Sequence, residues 1–369
     1  VKNYDFIVVG AGLYGSVFAA ECVRAGRSVL VLDKRLHTGG FCDSYPDAET
    51  GIEVHRYGTH AFHTNDRDTW DWLKRYTRFY PYRHRVLTTA QDGRVFELPV
   101  NRATFEAFAG RRLAPVEIAS LVTAPAPGAD FEATAIARVG RPIYEALIEG
   151  YTRKHWGCYP NELPASVIAR LPVRTSYQTG YFNDRFQGVP EDGYGALFGR
   201  LLTGADVQLG VVAQPSDVSQ LRSRCRTLVW TGALDAFYGH DLGRLGWRSV
   251  ELRTELLDED DHQGCAQMNY ADPSVPWTRK HEPKHFRPDL WTVGKTVVQT
   301  EYPGDNHDDP AYPMRRARDL ALYEQYRARA ATEVGVIFGG RLANYVYYDM
   351  HQVVAQARTN ARDVLSVLH

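Results

Sequence analysis

The chain opens with two apolar runs separated by a stretch of helical spacing. Tyr4-Asp5-Phe6-Ile7-Val8-Val9 has the near-continuous apolar character of a strand buried on both faces. Gly10-Ala11-Gly12-Leu13-Tyr14-Gly15 follows, and Ser16 to Ala25 then predicts a helix closed by Gly26. Ser28 to Leu32 predicts a second strand, which ends in Asp33. Further on, Ile136, Val139, Ile143, Tyr144, Leu147, Ile148 and Tyr151 recur at intervals of three and four, as on a buried helix face. Pro142 suits the first turn of a new helix, so two helices should abut there. Arg248 to Tyr302 shows short alternating stretches such as Thr296-Val297-Val298-Gln299-Thr300, which predict antiparallel strands. Val336-Ile337-Phe338 predicts one more buried strand, and Gln352 to Val367 a closing helix.

Composition narrows the classes of function. At 369 residues the chain exceeds what one core usually supports, so two or three interleaved domains are expected. A net charge of −1 without runs of like charge argues against nucleic acid or an anionic membrane as partner. An anionic ligand must then be met by a few placed arginines. The sequence holds no apolar span long enough for a membrane, and the strand pattern begins almost at once, which predicts a cytoplasmic protein. Five scattered cysteines fit reduced thiols.

The glycine run between the first strand and helix carries the first chemistry. A pyrophosphate needs close backbone approach and a helix N-terminus. Gly10 allows the tight turn, Gly12 the approach of the phosphates, and Gly15 the packing of helix on strand. Asp33, 33 − 10 = 23 positions on, stands where a carboxylate accepts ribose hydroxyls. Lys34 and Arg35 with Gly39-Gly40 resemble the second turn of flavin-binding, oxidase-like Rossmann proteins. Gly339-Gly340-Arg341-Leu342 resembles the late turn that closes over the flavin there. Both favour FAD over NAD.

More specific are His55-Arg56-Tyr57-Gly58-Thr59-His60-Ala61-Phe62-His63-Thr64-Asn65, Gly150-Tyr151-Thr152-Arg153-Lys154-His155-Trp156 and Arg170-Leu171-Pro172-Val173-Arg174. Tyr181 to Gly188, Val275-Pro276-Trp277-Thr278-Arg279 and Tyr347-Tyr348-Asp349-Met350-His351-Gln352 continue the set. In this order, over nearly the whole chain, these motifs resemble the UDP-galactopyranose mutase family. The resemblance implies an α/β fold in which an FAD-binding Rossmann-like domain (1–78, 187–242 and 333–369) interleaves with a helical bundle (102–166). An antiparallel β-sheet domain (79–101, 167–186 and 243–332) completes it. It also implies a homodimer and a nucleotide-diphosphate hexose as substrate, interconverted between pyranose and furanose forms by reduced FAD. In the family mechanism flavin N5 attacks the anomeric carbon as the diphosphate leaves.

By family position Arg170 and Arg279 grip the diphosphate, because planar guanidiniums suit charge that builds on a leaving phosphate. Tyr181, Tyr312 and Tyr347 assist with their hydroxyls. Trp156 joins the sugar pocket, Tyr151 stacks near the base, and His63 packs beside the flavin. Arg341 and Asp349 belong to the flavin and sugar side, Arg248 to flavin or substrate, and Asn269 to the nucleotide. Lys34, His60 and Gly340 are further cofactor contacts. Three histidines within nine positions (His55, His60, His63) invite a metal reading, but no carboxylate or thiol pattern accompanies them, so none is expected.

Where the family has Gln, Tyr and Tyr, this chain has His155, Trp277 and Ala311. An imidazole in place of an amide, and a much smaller Ala311, re-pattern the expected base site. They raise a GDP-linked hexose such as GDP-L-galactose or GDP-L-fucose as the alternative to UDP-galactopyranose. A flavin amine oxidase fits the fold but not an arginine pair, and a non-catalytic sensor fits poorly with the retained Trp156, His63 and tyrosines.

Overall fold

The structure is a computed structural model that describes residues 3–169, 172–291 and 293–367. Arg170 therefore lies outside the described residues. Five parallel strands form the first sheet, in the order Asp206–Leu209, Val29–Asp33, Tyr4–Val9, Cys225–Trp230, Val336–Phe338. Phe6, Ile7, Val8, Leu30 and Val31 are fully buried, as a parallel sheet covered on both faces requires. On one face, helices Leu13–Arg24, Gly193–Leu201 and Met350–Ser366 contribute Val17, Phe18, Leu197, Phe198, Val354 and Ala357 to one core. This is the strand-helix-strand unit expected from the first 33 residues, with the first helix beginning at Leu13 rather than Ser16.

Seven strands make the second sheet, in the order Tyr312–Pro313, Trp247–Leu257, Thr296–Gly304, Arg279–His281, Gln267–Tyr270, Val86–Thr89, Val95–Leu98. It is antiparallel except where Gln267–Tyr270 runs parallel to Val86–Thr89, which corrects the purely antiparallel expectation. Three short strands, Phe62–Thr64, Phe186–Pro190 and Phe79–Pro81, pair in a separate sheet.

The helical part begins with Arg102–Ala109 and Pro115–Leu121, followed by Phe131–Val139. Gly140 stops that helix, and Pro142 sits in the first turn of Arg141–Tyr144, so the two helices abut as predicted. The second continues through a wide π-type turn, Glu145–Glu149, into Gly150–Trp156. Such turns shift the register of a helix and recur at functional sites. Here the turn immediately precedes Tyr151, His155 and Trp156. Gly150 is obligatory, since a Cβ there would stand 2.2 Å from the Ala271 carbonyl oxygen.

Candidate active site

Three cavities run through the molecule and share walls. The largest, about 840 Å³, crosses the carboxyl ends of the parallel strands past Gly10, Gly12, Asp33, Gly40, His60 and Arg341. Gly10 has φ +112°, and a Cβ on it would lie 1.9 Å from Thr231 Oγ1. Gly15 faces inward instead: its Cβ would meet the Gly10 carbonyl oxygen at 1.9 Å, so this glycine serves helix packing. Gly12 is the N-cap of Leu13–Arg24, and a Cβ there would approach no protein atom closer than 3.9 Å. Open space at a helix N-terminus suits a pyrophosphate. Asp33 is already oriented, its two oxygens accepting the Ala11 and Arg35 N–H groups at 2.7 and 2.8 Å. Lys34 lines the cavity and donates to the Asp308 carbonyl at 2.5 Å. The shape, the helix end and the placed carboxylate fit a dinucleotide.

His60, Arg341 and Met350 also line a second cavity of about 340 Å³, along with His63, His84, Phe182, Asp184, Tyr312, Asp349 and His351. His60 Nδ1 lies 2.7 Å from the Gly58 carbonyl, which can only accept, so Nδ1 carries the proton. Burial lowers its pKa to about 4, keeping the ring neutral. His63 Nδ1 donates to Asp184 at 2.7 Å, and its ring stacks on Phe182 with centroids 3.6 Å apart. His63 lines this second cavity and not the first.

Tyr181, Arg279 and Tyr347 stand at the junction with a third cavity, of about 120 Å³, lined by Tyr151, Thr152, His155, Trp156, Asn269 and apolar side chains. Tyr151 and His155 stack nearly parallel, 5.7 Å apart. The buried Tyr151 hydroxyl and Arg279 Nε have no hydrogen-bond partner among the described residues. Buried orphans of this kind point to a ligand. Arg279 Nη1 lies 3.2 Å from Glu301 Oε2. Burial pushes the Glu301 carboxyl up, but Arg279 and His281 outweigh it and hold it well below the usual carboxylate range. Burial works against Arg279's charge, and Glu301 restores it. Tyr312, pushed up to about 12 by burial and by Tyr347, is a neutral donor at pH 7.

Several expected contacts fall elsewhere. Trp156 lines the third cavity and not the second. Arg248 lines none of the three: it donates to the His155 carbonyl at 2.9 Å and to that of Lys154, and so supports the helix from behind. Trp277 is also off the cavities, packed between Tyr270 and Tyr302. Ala311 is buried away from the third cavity, so its small size does not enlarge that space. The sequence reading missed Glu301, His84, Asp184, His351 and Lys154. Lys154 Nζ donates to the carbonyls of Tyr270, Asp272 and Trp277 at 2.8, 2.7 and 2.9 Å, tying the helix to the sheet. Asp184 and His351 lay inside quoted motifs. Glu301 had only its strand alternation as a signal.

Comparison with known proteins agrees with this layout. Residues 8–76 match the family of NAD(P)-binding Rossmann-like domains, and residues 146–347 match the family of UDP-galactopyranose mutases. The chain is 36% identical to a probable UDP-galactopyranose mutase of Klebsiella pneumoniae, over 99% of this chain and 96% of that protein. It is 35% identical to a dTDP-fucopyranose mutase of Escherichia coli, over 95% and 96% respectively. The crystal structure of a reduced UDP-galactopyranose mutase superposes with a TM-score of 0.76 at 13% identity, covering 99% of this chain and 96% of the other. Fold and matches together define an isomerase of the sugar-nucleotide pyranose mutase class, built on a Rossmann dinucleotide-binding unit. The chain belongs to the UDP-galactopyranose mutase family.

Proposed function

We propose that the protein interconverts the pyranose and furanose forms of a nucleotide-diphosphate hexose with FAD, in its reduced form, in the largest cavity. The observation that carries this is Arg279, ion-paired to a buried carboxylate where two cavities meet. Gly10, Gly12, Asp33, Lys34, Gly39, Gly40, His60, Gly340 and Arg341 would hold the FAD. When bound, reduced FAD supplies the nucleophile that the anomeric carbon needs once the diphosphate departs.

The chain's own residues do the rest. Arg279 meets the diphosphate as its charge grows, and the Glu301 pairing fixes the guanidinium before substrate arrives. Tyr181, Tyr312 and Tyr347 add hydroxyl groups around the same junction. His60, His63, Asp349 and Arg341 line the space left for the hexose. Tyr151, His155, Trp156 and Asn269 surround the base. Arg248, Lys154 and Trp277 act through the helix and loop they brace.

UDP-galactopyranose is the first substrate to test. A second reading, a dTDP-linked 6-deoxyhexose, is supported by the E. coli relative of nearly equal identity. The GDP reading keeps His155 as its support and loses Ala311. Chromatography of dithionite-reduced enzyme with each sugar nucleotide decides. Furanose product from a UDP or dTDP sugar, absent without reductant, is expected; no ring interconversion with any of the three refutes the proposal.

A further inference from the structure

Sequence alone argued against a metal because no carboxylate accompanied the His55–His63 run. The fold supplies one by bringing Asp349 and His351 beside His63. One ligand atom from each of these three residues lies within 4.8 Å of the others. All three line the second cavity.

Both imidazoles are set up as ligands. His63 gives its Nδ1–H to Asp184 and is wedged against Phe182, so Nε2 is the nitrogen left to ligate a cation. His351 Nδ1 is buried with no hydrogen-bond partner among the described residues, and its ring lies edge-on to that of His63 with centroids 5.3 Å apart. Metal-bound histidines almost always give their second N–H to a carboxylate or a backbone carbonyl. His63 has such a partner in Asp184.

We infer that His63, His351 and Asp349 form a binding site for a divalent cation of the Zn²⁺ type, with its open coordination positions facing the second cavity. Two imidazoles and one carboxylate are a ligand set that zinc favours. Tetrahedral ligation at about 2.0–2.2 Å separates ligand atoms by roughly 3.3 Å, so side-chain motion of about an ångström closes the cluster. A metal held there takes the space assigned to the hexose, so it blocks turnover instead of assisting it. That inhibition rests on the function proposed above; the binding does not.

The test is calorimetric titration of the chelator-treated holoenzyme with ZnCl₂. Wild type is compared with His351→Asn, Asp349→Asn and His285→Ala. The last variant disables Asp261, Glu282 and His285, another group with metal-ligand spacing. Asn can still cap the helix that begins after position 349, and flavin content reports folding. One site is expected, weakened at least about tenfold in both cavity variants and unchanged in His285→Ala. X-ray absorption at the zinc edge should show two imidazole ligands. No binding, binding that survives both cavity variants, or loss only in His285→Ala overturns the site. Zinc bound as expected but without inhibition leaves the site standing and counts against placing the hexose in this cavity.

Discussion

Arg279 and Glu301 lie directly opposite each other on adjacent antiparallel strands, with Nη1 and Oε2 3.2 Å apart. Glu301 is 2% exposed and also accepts from Thr278 Oγ1 at 2.8 Å, so its position is fixed from two sides. Arg279 is 19% exposed, and that exposure is toward the cavities. A buried carboxylate thus orients a guanidinium whose outer face remains free for an anion.

Replacing Arg279 with Ala should lower kcat by about 10²–10³, or about 2.7–4 kcal/mol, while flavin content stays near wild type. Lys should rescue poorly, because an ammonium lacks the planar fork. Glu301→Ala leaves a largely buried cation unpaired and should also reduce folding stability, by about 3–5 kcal/mol. Steady-state kinetics with denaturant unfolding separates the two effects. Near-normal turnover in Arg279→Ala would remove the diphosphate role.

The glycines of the first turn should separate binding from folding. Gly12→Ala places its methyl in open cavity, so the protein should fold with a Tm near wild type but lose flavin. Gly15→Ala drives a methyl into the Gly10 carbonyl, which is backbone and cannot swing aside. Its Tm should fall, and flavin should be lost as a consequence. Flavin-to-protein absorbance ratios and thermal melts of both variants are the measurements; equal Tm loss in both would contradict the geometry.

The strand, turn and helix that carry these glycines were legible in the sequence because each leaves a local pattern. So were the helix junction at Pro142 and the closing helix. That Arg248 and Trp277 line none of the three cavities was not legible, for the opposite reason. Which face of a strand or loop meets the cavity depends on pairing between distant segments, and no local pattern records it. The His63, Asp349 and His351 cluster was hidden in the same way: 349 − 63 = 286 positions separate His63 from the nearer of the other two. Glu301 became significant only through its register with Arg279.

Acid should destabilise the protein in a histidine-dependent way. His84 is 3% exposed, and burial, followed by His281, lowers its pKa to about 3 from the ordinary 6.5. The unfolded chain therefore takes up a proton there near pH 6.5, and the folded protein only near pH 3. Its contribution is intact above the unfolded value and is lost as pH falls through that window. Glu301, held low by Arg279, adds a loss in the same direction, but only below its ordinary 4.5. Between pH 5 and 6, His84→Gln should flatten the stability–pH slope by about 1.4 kcal/mol per unit, one proton's worth. Urea unfolding at both pH values measures it; an unchanged slope would mean that His84 titrates normally.

The nucleotide preference follows from the third cavity. With the base placed there as proposed, Tyr151, Thr152, His155, Asn269 and Arg138 are polar side chains on its wall, and Asn269 Oδ1 already accepts from Gln267 at 2.9 Å. A base that leaves one such buried group unpaired loses about 1–3 kcal/mol, or roughly five- to 150-fold in affinity. Ala311 lies off this cavity, so the room it was expected to make for a purine is absent. UDP or dTDP should therefore displace a fluorescent nucleotide probe from the reduced enzyme at least about fivefold better than GDP. The thymine methyl and the missing ribose 2′-hydroxyl distinguish dTDP from UDP, and a dTDP preference would direct attention to 6-deoxyhexoses. His155→Gln is the decisive variant, because it exchanges an imidazole for an amide with both donor and acceptor. If His155 disfavours uracil, the exchange should tighten UDP and weaken GDP. A wild-type enzyme that binds GDP tightest, and loses that preference in His155→Gln, would reverse the assignment in favour of a GDP-hexose.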